Sequence, residues 1–363
     1  MTNFPSRRKK LRAKLRQQGT GALLVTNFTN VSYLTGFTGD DSYFLLSKDH
    51  EVLLSDERYT TQLEEECPDL ELEVRGPGKA MLASVAEVVN KLKISSLSVE
   101  SQSMTLALHG GLKKELPNCE LVPSEGWVEE LRMIKDRHEI SRTRNACLQA
   151  RRAFEVVRAS LTGEMTELQV AADLEYQARR FGAKCLSFPP IVAVGPRSAL
   201  PHASPTQRKL EESDFTLIDW GSNEGQYVSD LTRVVVTGKI SPKLRKVYGV
   251  VLKAQLAAIE AIQPGVSCES VDQVARKIIS DRGYGKHFGH GLGHGTGLEV
   301  HEAPRLSKGQ STILEPGMIV TVEPGIYLPG WGGVRIEDDV LVTRDGHEVL
   351  TSVANELEQC CTG

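Results

Sequence analysis

The stretch FTLIDWGSNEGQYVSDLTRVVV, residues 215–236, has an apolar run at each end and a turn-rich centre. Two such runs around Gly and Asn read as a β-hairpin. Folding about Glu224-Gly225 sets Asp219 directly across from Asp230. Directly opposed side chains in a hairpin have Cβ atoms about 4.5–5.5 Å apart. Two carboxylates that close repel unless a proton or a cation lies between them.

A second stretch, GMIVTVEPGIYLPGWGGVRIEDDVLVT (317–343), has the same design. Its glycine-rich tip centres on Gly330, which sets Glu323 across from Glu337. A single like-charge pair is escaped by a shift of register. Two such hairpins in one chain, with a histidine cluster between them, point to a metal site instead. Four hard oxygen ligands and an imidazole suit a divalent transition ion such as Mn, Co or Zn. Four carboxylates are too many for one ion of the zinc-protease kind. They suit two ions about 3.5–4 Å apart.

The histidine cluster is FGHGLGHGTGLEVHEAP (288–304), preceded by His287. Four of the nine histidines of the chain fall within these few residues. Glycine lets the backbone approach a compact site closely. One imidazole would complete the metal shell, and others would stand where a substrate carbonyl lies.

The rest of the chain sets bounds. Its 363 residues suit two domains. A net charge of -4 and no long basic patch argue against a nucleic-acid partner. No apolar run approaches the ~20 residues that cross a bilayer. The basic N-terminus, with Leu11 and Leu15 four apart, reads as an amphipathic surface helix. Seven scattered cysteines suit reduced thiols in a cytoplasm better than disulfides.

Residues 1–126 alternate short apolar strands (GALLV, YFLLS, EVLLS, LELEV, SLSVE) with helical patterns. This predicts a small α/β domain. From residue 127 the texture becomes one long helical stretch, free of Pro and Gly from Val128 to Leu161. A capped helix, TELQVAADLEYQARRFG, follows, and later strands and helices come in separate blocks. The fold class expected is therefore α+β, with domains 1–126 and 127–363.

The blocks LIDWGSNEGQYVSDLTR, GHGLGHGTGLEVHEAP, VTVEPGIY and GVRIEDDVLVT resemble the metal-site blocks of the pita-bread metallopeptidases. NVSYLTGFTG (30–39), DERYTTQ (56–62), VEELRMIKDRHEI and SALPHASP (198–205) are similar to the aminopeptidase P and prolidase branch. The resemblance covers nearly the whole chain. It implies a creatinase/prolidase-like N-terminal domain and a pita-bread catalytic domain. It implies two divalent metal ions, manganese first, held by Asp219, Asp230, His294, Glu323 and Glu337, with Asp230 and Glu337 bridging. It gives Glu323 a proton-shuttle role as well, and His202, His290 and His301 non-ligand roles in the active site. Arg335 would hold a site carboxylate.

The implied activity is hydrolysis of the Xaa-Pro bond by a hydroxide shared between the metals. The substrates would be proline-containing peptides, either N-terminal segments or Xaa-Pro dipeptides, and the assembly a homodimer. Methionine aminopeptidases share the five ligands but usually lack such an N-terminal domain. Creatinase has the domain without the ligands. A catalytically silent binding module would have lost ligands, and this chain keeps all five.

Overall fold

In the computed structural model, which describes residues 3–361, the chain divides into two units. One ends at Arg132 and the other begins at Met133.

The first unit is built on a six-stranded mixed sheet. In spatial order its strands are Glu71–Arg75, Glu51–Asp56, Tyr43–Ser47, Ala22–Val25, Ser96–Glu100 and Glu120–Ser124. The five runs expected as strands are all present. The sixth, ELVPS, is half-exposed at the sheet edge, so it lacks a clear apolar pattern. Leu24, Leu45, Leu54, Leu97 and Val99 pack against Val85 and Val89 of the helix Met81–Lys91 and Leu112 of the helix Leu106–Glu115. The N-terminal helix runs Phe4–Gln18 and buries Leu11 and Leu15, the two residues whose spacing marked it.

Near the boundary between the units lies a break that the sequence pattern hid. The stretch expected as one helix from 127 to 161 is two, Glu129–Met133 and Arg137–Ser160. Asp136 stops the first and caps the second. Its carboxylate accepts from the backbone N–H of His138 and of Glu139, while the Glu139 side chain reaches back to the Asp136 N–H. This reciprocal cap satisfies N–H groups that a continuous helix would have used internally.

Two layers of helix on sheet follow. The helices Arg137–Ser160 and Glu167–Arg180 cover the antiparallel strands Ile191–Val194, Phe215–Trp220 and Leu231–Val236. Trp220 anchors this layer, stacked on Phe154 at 4.3 Å, with its indole N–H donated to the Ala150 carbonyl. The helices Pro242–Glu260 and Cys268–Asp281 cover the second layer. Its five strands, in spatial order, are Glu302–Leu306, Gly293–Gly295, Ile319–Val322, Asp338–Val342 and His347–Val349. Val320, Val322, Val340 and Val342 form its apolar face with Val251, Ala258, Val271 and Ile279 of the helices. The mixture of antiparallel sheets and segregated helices is the α+β class expected. Among the described residues no helix is long and apolar enough to cross a membrane.

Both expected hairpins are present, and one is registered differently. In 317–343 the pairing is Val322 with Asp338 and Gly325 with Arg335, so Glu323 and Glu337 stand between two matched segments. In 215–236, Asp219 faces Thr232 rather than Asp230. The turn is centred one residue further on, at Gly225-Gln226, both with positive φ (53° and 75°). Asn223 holds it by accepting from the Gln226 N–H with its side chain. A shift of one in the turn centre moves every partner by two. Side chains alternate with period two, so Asp230 keeps the face of Asp219 but becomes its diagonal neighbour.

Candidate metal centre

The rims of the two hairpins and the histidine ribbon meet. Asp230, His294 and Glu337, all buried, bring one ligand atom each to within 4.8 Å of one another. Glu323 joins them through His294, with Oε1 at 3.4 Å from Nε2. Asp230 Oδ2 lies 3.9 Å from the same nitrogen. The Nδ1 of His294 sits 3.1 Å from the Gly295 carbonyl. A carbonyl can only accept, so Nδ1 carries the proton and the Nε2 lone pair points at the acids. The backbone N–H of His294 donates to Thr321 Oγ1, which fixes the ribbon to the second hairpin.

Asp219 stands beside this group. Its Oδ2 accepts from Arg335 Nη2 at 2.6 Å. The same guanidinium donates through Nε to Thr232 Oγ1 (2.9 Å), and that hydroxyl donates to Glu337 Oε2 (2.6 Å). Thr232 is the residue that replaced Asp230 opposite Asp219. The register therefore puts a hydroxyl, not a second charge, in the direct-facing position.

Electrostatics here are those of acids packed without enough countercharge. The Asp230 carboxyl is raised well above its usual value by burial first, then by the charges of Glu337 and Asp219. Glu337 is raised by burial and by Glu323 and Asp219. Burial pushes Glu323 up to about 8. His294 is pushed down to about 4, by burial first and then by His301. A neutral imidazole is the form that binds a metal.

The remaining predicted residues surround the acids unevenly. His290 lies with Nδ1 4.0 Å from Glu323 Oε2, and that nitrogen also faces the Gly291 carbonyl at 2.7 Å. Its Nε2 is 3.0 Å from the Tyr327 hydroxyl, which accepts from Arg335 Nη1 at 2.9 Å. Burial holds His290 neutral, at about 4. The His301 ring is exposed and packs edge-on against His294, centroids 4.3 Å apart. His202 is exposed on the loop after the short 3-10 turn Gly195–Ala199, close enough for its charge to depress His290 and His301.

Residues that sequence reasoning passed over are Thr232, Thr321, Tyr327 and Asp339. Asp339 is fully buried, and its Oδ2 accepts from the Asp230 N–H (2.9 Å) and faces the Cys147 thiol (3.5 Å). All four lie inside the quoted blocks, two to four residues from predicted ligands, so spacing could have raised them.

The donor set fits divalent cations. Asp219 Oδ1 and Asp230 Oδ1 are buried and have no hydrogen-bond partner among the described residues. Orphaned carboxylate oxygens in a low-dielectric cluster are costly unless a cation meets them. The oxygens with one neutral imidazole make a set suited to ions of the Mn, Co and Zn kind.

The metallopeptidase family M24 model matches residues 141–344, and the creatinase/prolidase N-terminal domain model matches residues 7–134. An uncharacterised peptidase of Bacillus subtilis (strain 168) is 40% identical over 348 residues, covering 96% of this chain and 98% of its own length. The solved structure of a Xaa-Pro dipeptidase from Bacillus anthracis superposes with a TM-score of 0.94 at 38% identity, covering 98% of this chain and 99% of that one. That of an X-Pro aminopeptidase from Thermotoga maritima MSB8 gives 0.87 at 36% identity, covering 94% and 99%.

Proposed function

Because the chain belongs to metallopeptidase family M24 and carries a creatinase/prolidase N-terminal domain, we propose that it hydrolyses the bond before proline, in Xaa-Pro dipeptides first and at the N-terminus of longer peptides second. The observation that carries the reading is the buried Asp230–His294–Glu337 group, with Glu323 on His294 and Asp219 on Arg335. Its likeness to a Xaa-Pro dipeptidase over nearly the whole of both chains supports the choice of substrate.

In this reading Asp219, Asp230, His294, Glu323 and Glu337 would hold two divalent ions, Asp230 and Glu337 serving both. Bound there, the ions would supply a water of lowered pKa and polarise the scissile carbonyl. The chain's own residues do the rest. Glu323 takes the proton of the attacking water and delivers it to the departing proline nitrogen. That nitrogen is a tertiary amide and leaves only when protonated. His301 and His202, exposed beside the acids, hydrogen-bond the carbonyl oxygen as charge develops on it. Arg335 holds Asp219 by one oxygen and turns it toward the site. Tyr327 keeps His290 in one tautomer, with its Nδ1–H directed at Gly291 O. The catalytic domain of this reading starts at residue 127, six residues before the compact unit that begins at Met133. Manganese is the metal to try first. The setting is cytoplasmic, in keeping with seven cysteines that are all free thiols, and the assembly of this reading is a homodimer.

The test is a peptide panel of Ala-Pro, Ala-Pro-Ala, Ala-Ala-Ala and Met-Ala-Ser with Mn, Co or Zn added. Ala-Pro should be cleaved best and Ala-Ala-Ala little. Preference for Met-Ala-Ser, with both proline peptides untouched, would overturn the substrate. Full activity after exhaustive chelation would overturn the metal chemistry.

A further inference from the structure

Glu167 is a buried carboxylate that the reaction above does not use. It opens the helix Glu167–Arg180, and its side chain is fully buried. Oε1 accepts from the Val194 N–H at 2.8 Å and from Arg197 Nε at 3.1 Å. Oε2 accepts from the Thr206 N–H at 2.8 Å and from Thr206 Oγ1 at 2.7 Å. These donors come from the two ends of one loop. Between them lie Leu200, Pro201 and His202, the first more than half exposed and the last also exposed.

The loop is held at its other side too. Arg197 donates through Nη2 to the Ser204 carbonyl. Ser198 Oγ accepts from the Gly333 N–H at 2.7 Å, and Arg335 Nη1 reaches toward the Pro201 carbonyl at 3.4 Å. A Cβ at Gly333 would lie 2.1 Å from the Ser198 carbonyl oxygen, so the loop rests on bare backbone two residues from Arg335. Anchors at both ends and at the tip leave His202 with little room to move.

Burying a carboxylate costs free energy unless charge and hydrogen bonds offset it. Here a guanidinium and three further donors do so. An apolar residue would pack under the loop at no such cost, but it could not tie residue 194 to residue 206 by four directed bonds. Fixing the ends of a loop removes conformational freedom that binding would otherwise have to remove.

We propose that Glu167 is a positioning residue for His202: it pins both ends of the loop 194–206 and so fixes where that histidine meets the substrate. The proposal rests on the reading of His202 as a substrate-contacting residue. It makes Glu167 act on the reaction only through that loop.

The experiment uses metal-loaded full chain with Glu167→Gln, Thr206→Val, His202→Ala and the two double variants with His202→Ala. Hydrogen exchange of the peptide spanning 198–205 should speed by about tenfold in Glu167→Gln, as local opening becomes easier, with amides elsewhere unchanged. On the best panel substrate, kcat/KM should fall about 10- to 100-fold, the range that a misplacement of about 1 Å brings. In the His202→Ala background the same change should cost less than about twofold, since coupled residues are not additive. Thr206→Val removes one donor and should move both readouts in the same direction by less. If Glu167→Gln does not fold, the Thr206→Val cycle decides. Unchanged exchange, or an equal loss of kcat/KM with and without His202, overturns the proposal. If wild type cleaves no proline peptide, the substrate reading fails by itself, and the exchange measurement still decides whether Glu167 holds the loop.

Discussion

Replacing Asp230 with Asn should make the metal-free protein more stable and the metal-supplied protein less stable, relative to wild type. The substitution keeps shape and removes one charge from a buried cluster. Asp230 and Glu337 bring ligand atoms within 4.8 Å of each other. At an effective dielectric constant near 20, two unit charges at that distance repel by about 3.5 kcal/mol. Protons held by the raised carboxyls cancel part of this, so the relief is taken as about 1–2 kcal/mol. For a unit of this size each kcal/mol moves the melting point by about 2–4 °C. The chelated variant should then melt about 2–8 °C above chelated wild type.

Supplying metal at about 100 times Kd stabilises wild type by about 2.7 kcal/mol, or about 5–11 °C. Asp230→Asn should gain little of that, because Asp230 is a shared ligand in the proposed set. The two proteins should therefore exchange order when metal is added. Scanning calorimetry with chelator and with Mn, at fixed protein concentration, gives the four melting points. A wild-type melting point that ignores both chelator and metal refutes the reasoning. So does a variant that keeps the full metal-dependent rise.

His294→Ala should lose bound metal, measured by elemental analysis after gel filtration. His301→Ala should keep metal near wild type while kcat falls by at least about tenfold, since an oxyanion partner acts mainly in the transition state; the reverse pattern would exchange their roles. Thr232→Val leaves Arg335 Nε and Glu337 Oε2 each without its hydroxyl partner. It should lower stability by about 1–3 kcal/mol by denaturant titration and weaken metal binding, and an unchanged midpoint would deny the bridge any importance.

The contrast between the two hairpins marks what the sequence made legible. In 317–343 the tip is Gly330, with a positive φ of 79°, so the residue that can take the turn conformation is also the visible centre. The position of Glu323 and Glu337 between two segments of the same register followed from it. In 215–236 the second turn position is Gln226, at a φ of 75° that side chains rarely adopt. Tertiary context and the Asn223 side chain hold it there, and neither is readable from a local pattern. The error of two residues preserved the face, which is why the carboxylates still converge. The break at Asp136 was hidden for a related reason: a Pro- and Gly-free run reads as one helix, and only the reciprocal cap with Glu139 shows where it stops.

Less legible still are the bonds between residues a hundred positions apart. Arg335 to Asp219, Thr232 to Glu337 and Asp339 to the Asp230 N–H join the two hairpins side chain by side chain. They share a feature that bears on chemistry. Arg335 satisfies one oxygen of Asp219, and the other has no partner among the described residues. Thr232 satisfies one oxygen of Glu337, and Asp339 holds Asp230 by its backbone and leaves its Oδ1 unpartnered. His294 spends its N–H on Gly295 and keeps its lone pair for the acids. A network built to neutralise these charges would have placed donors on every oxygen. This one orients each group and leaves Asp219 Oδ1 and Asp230 Oδ1 without a donor among the described residues, so in the proposed reading neutralisation falls to a bound cation. Metal uptake and stability should therefore rise together, and a chain in which Arg335→Met loosens Asp219 should lose affinity for metal even though no ligand has been removed. Metal titration of that variant, followed by the melting point, checks this: an affinity equal to wild type would show that Asp219 needs no such hold.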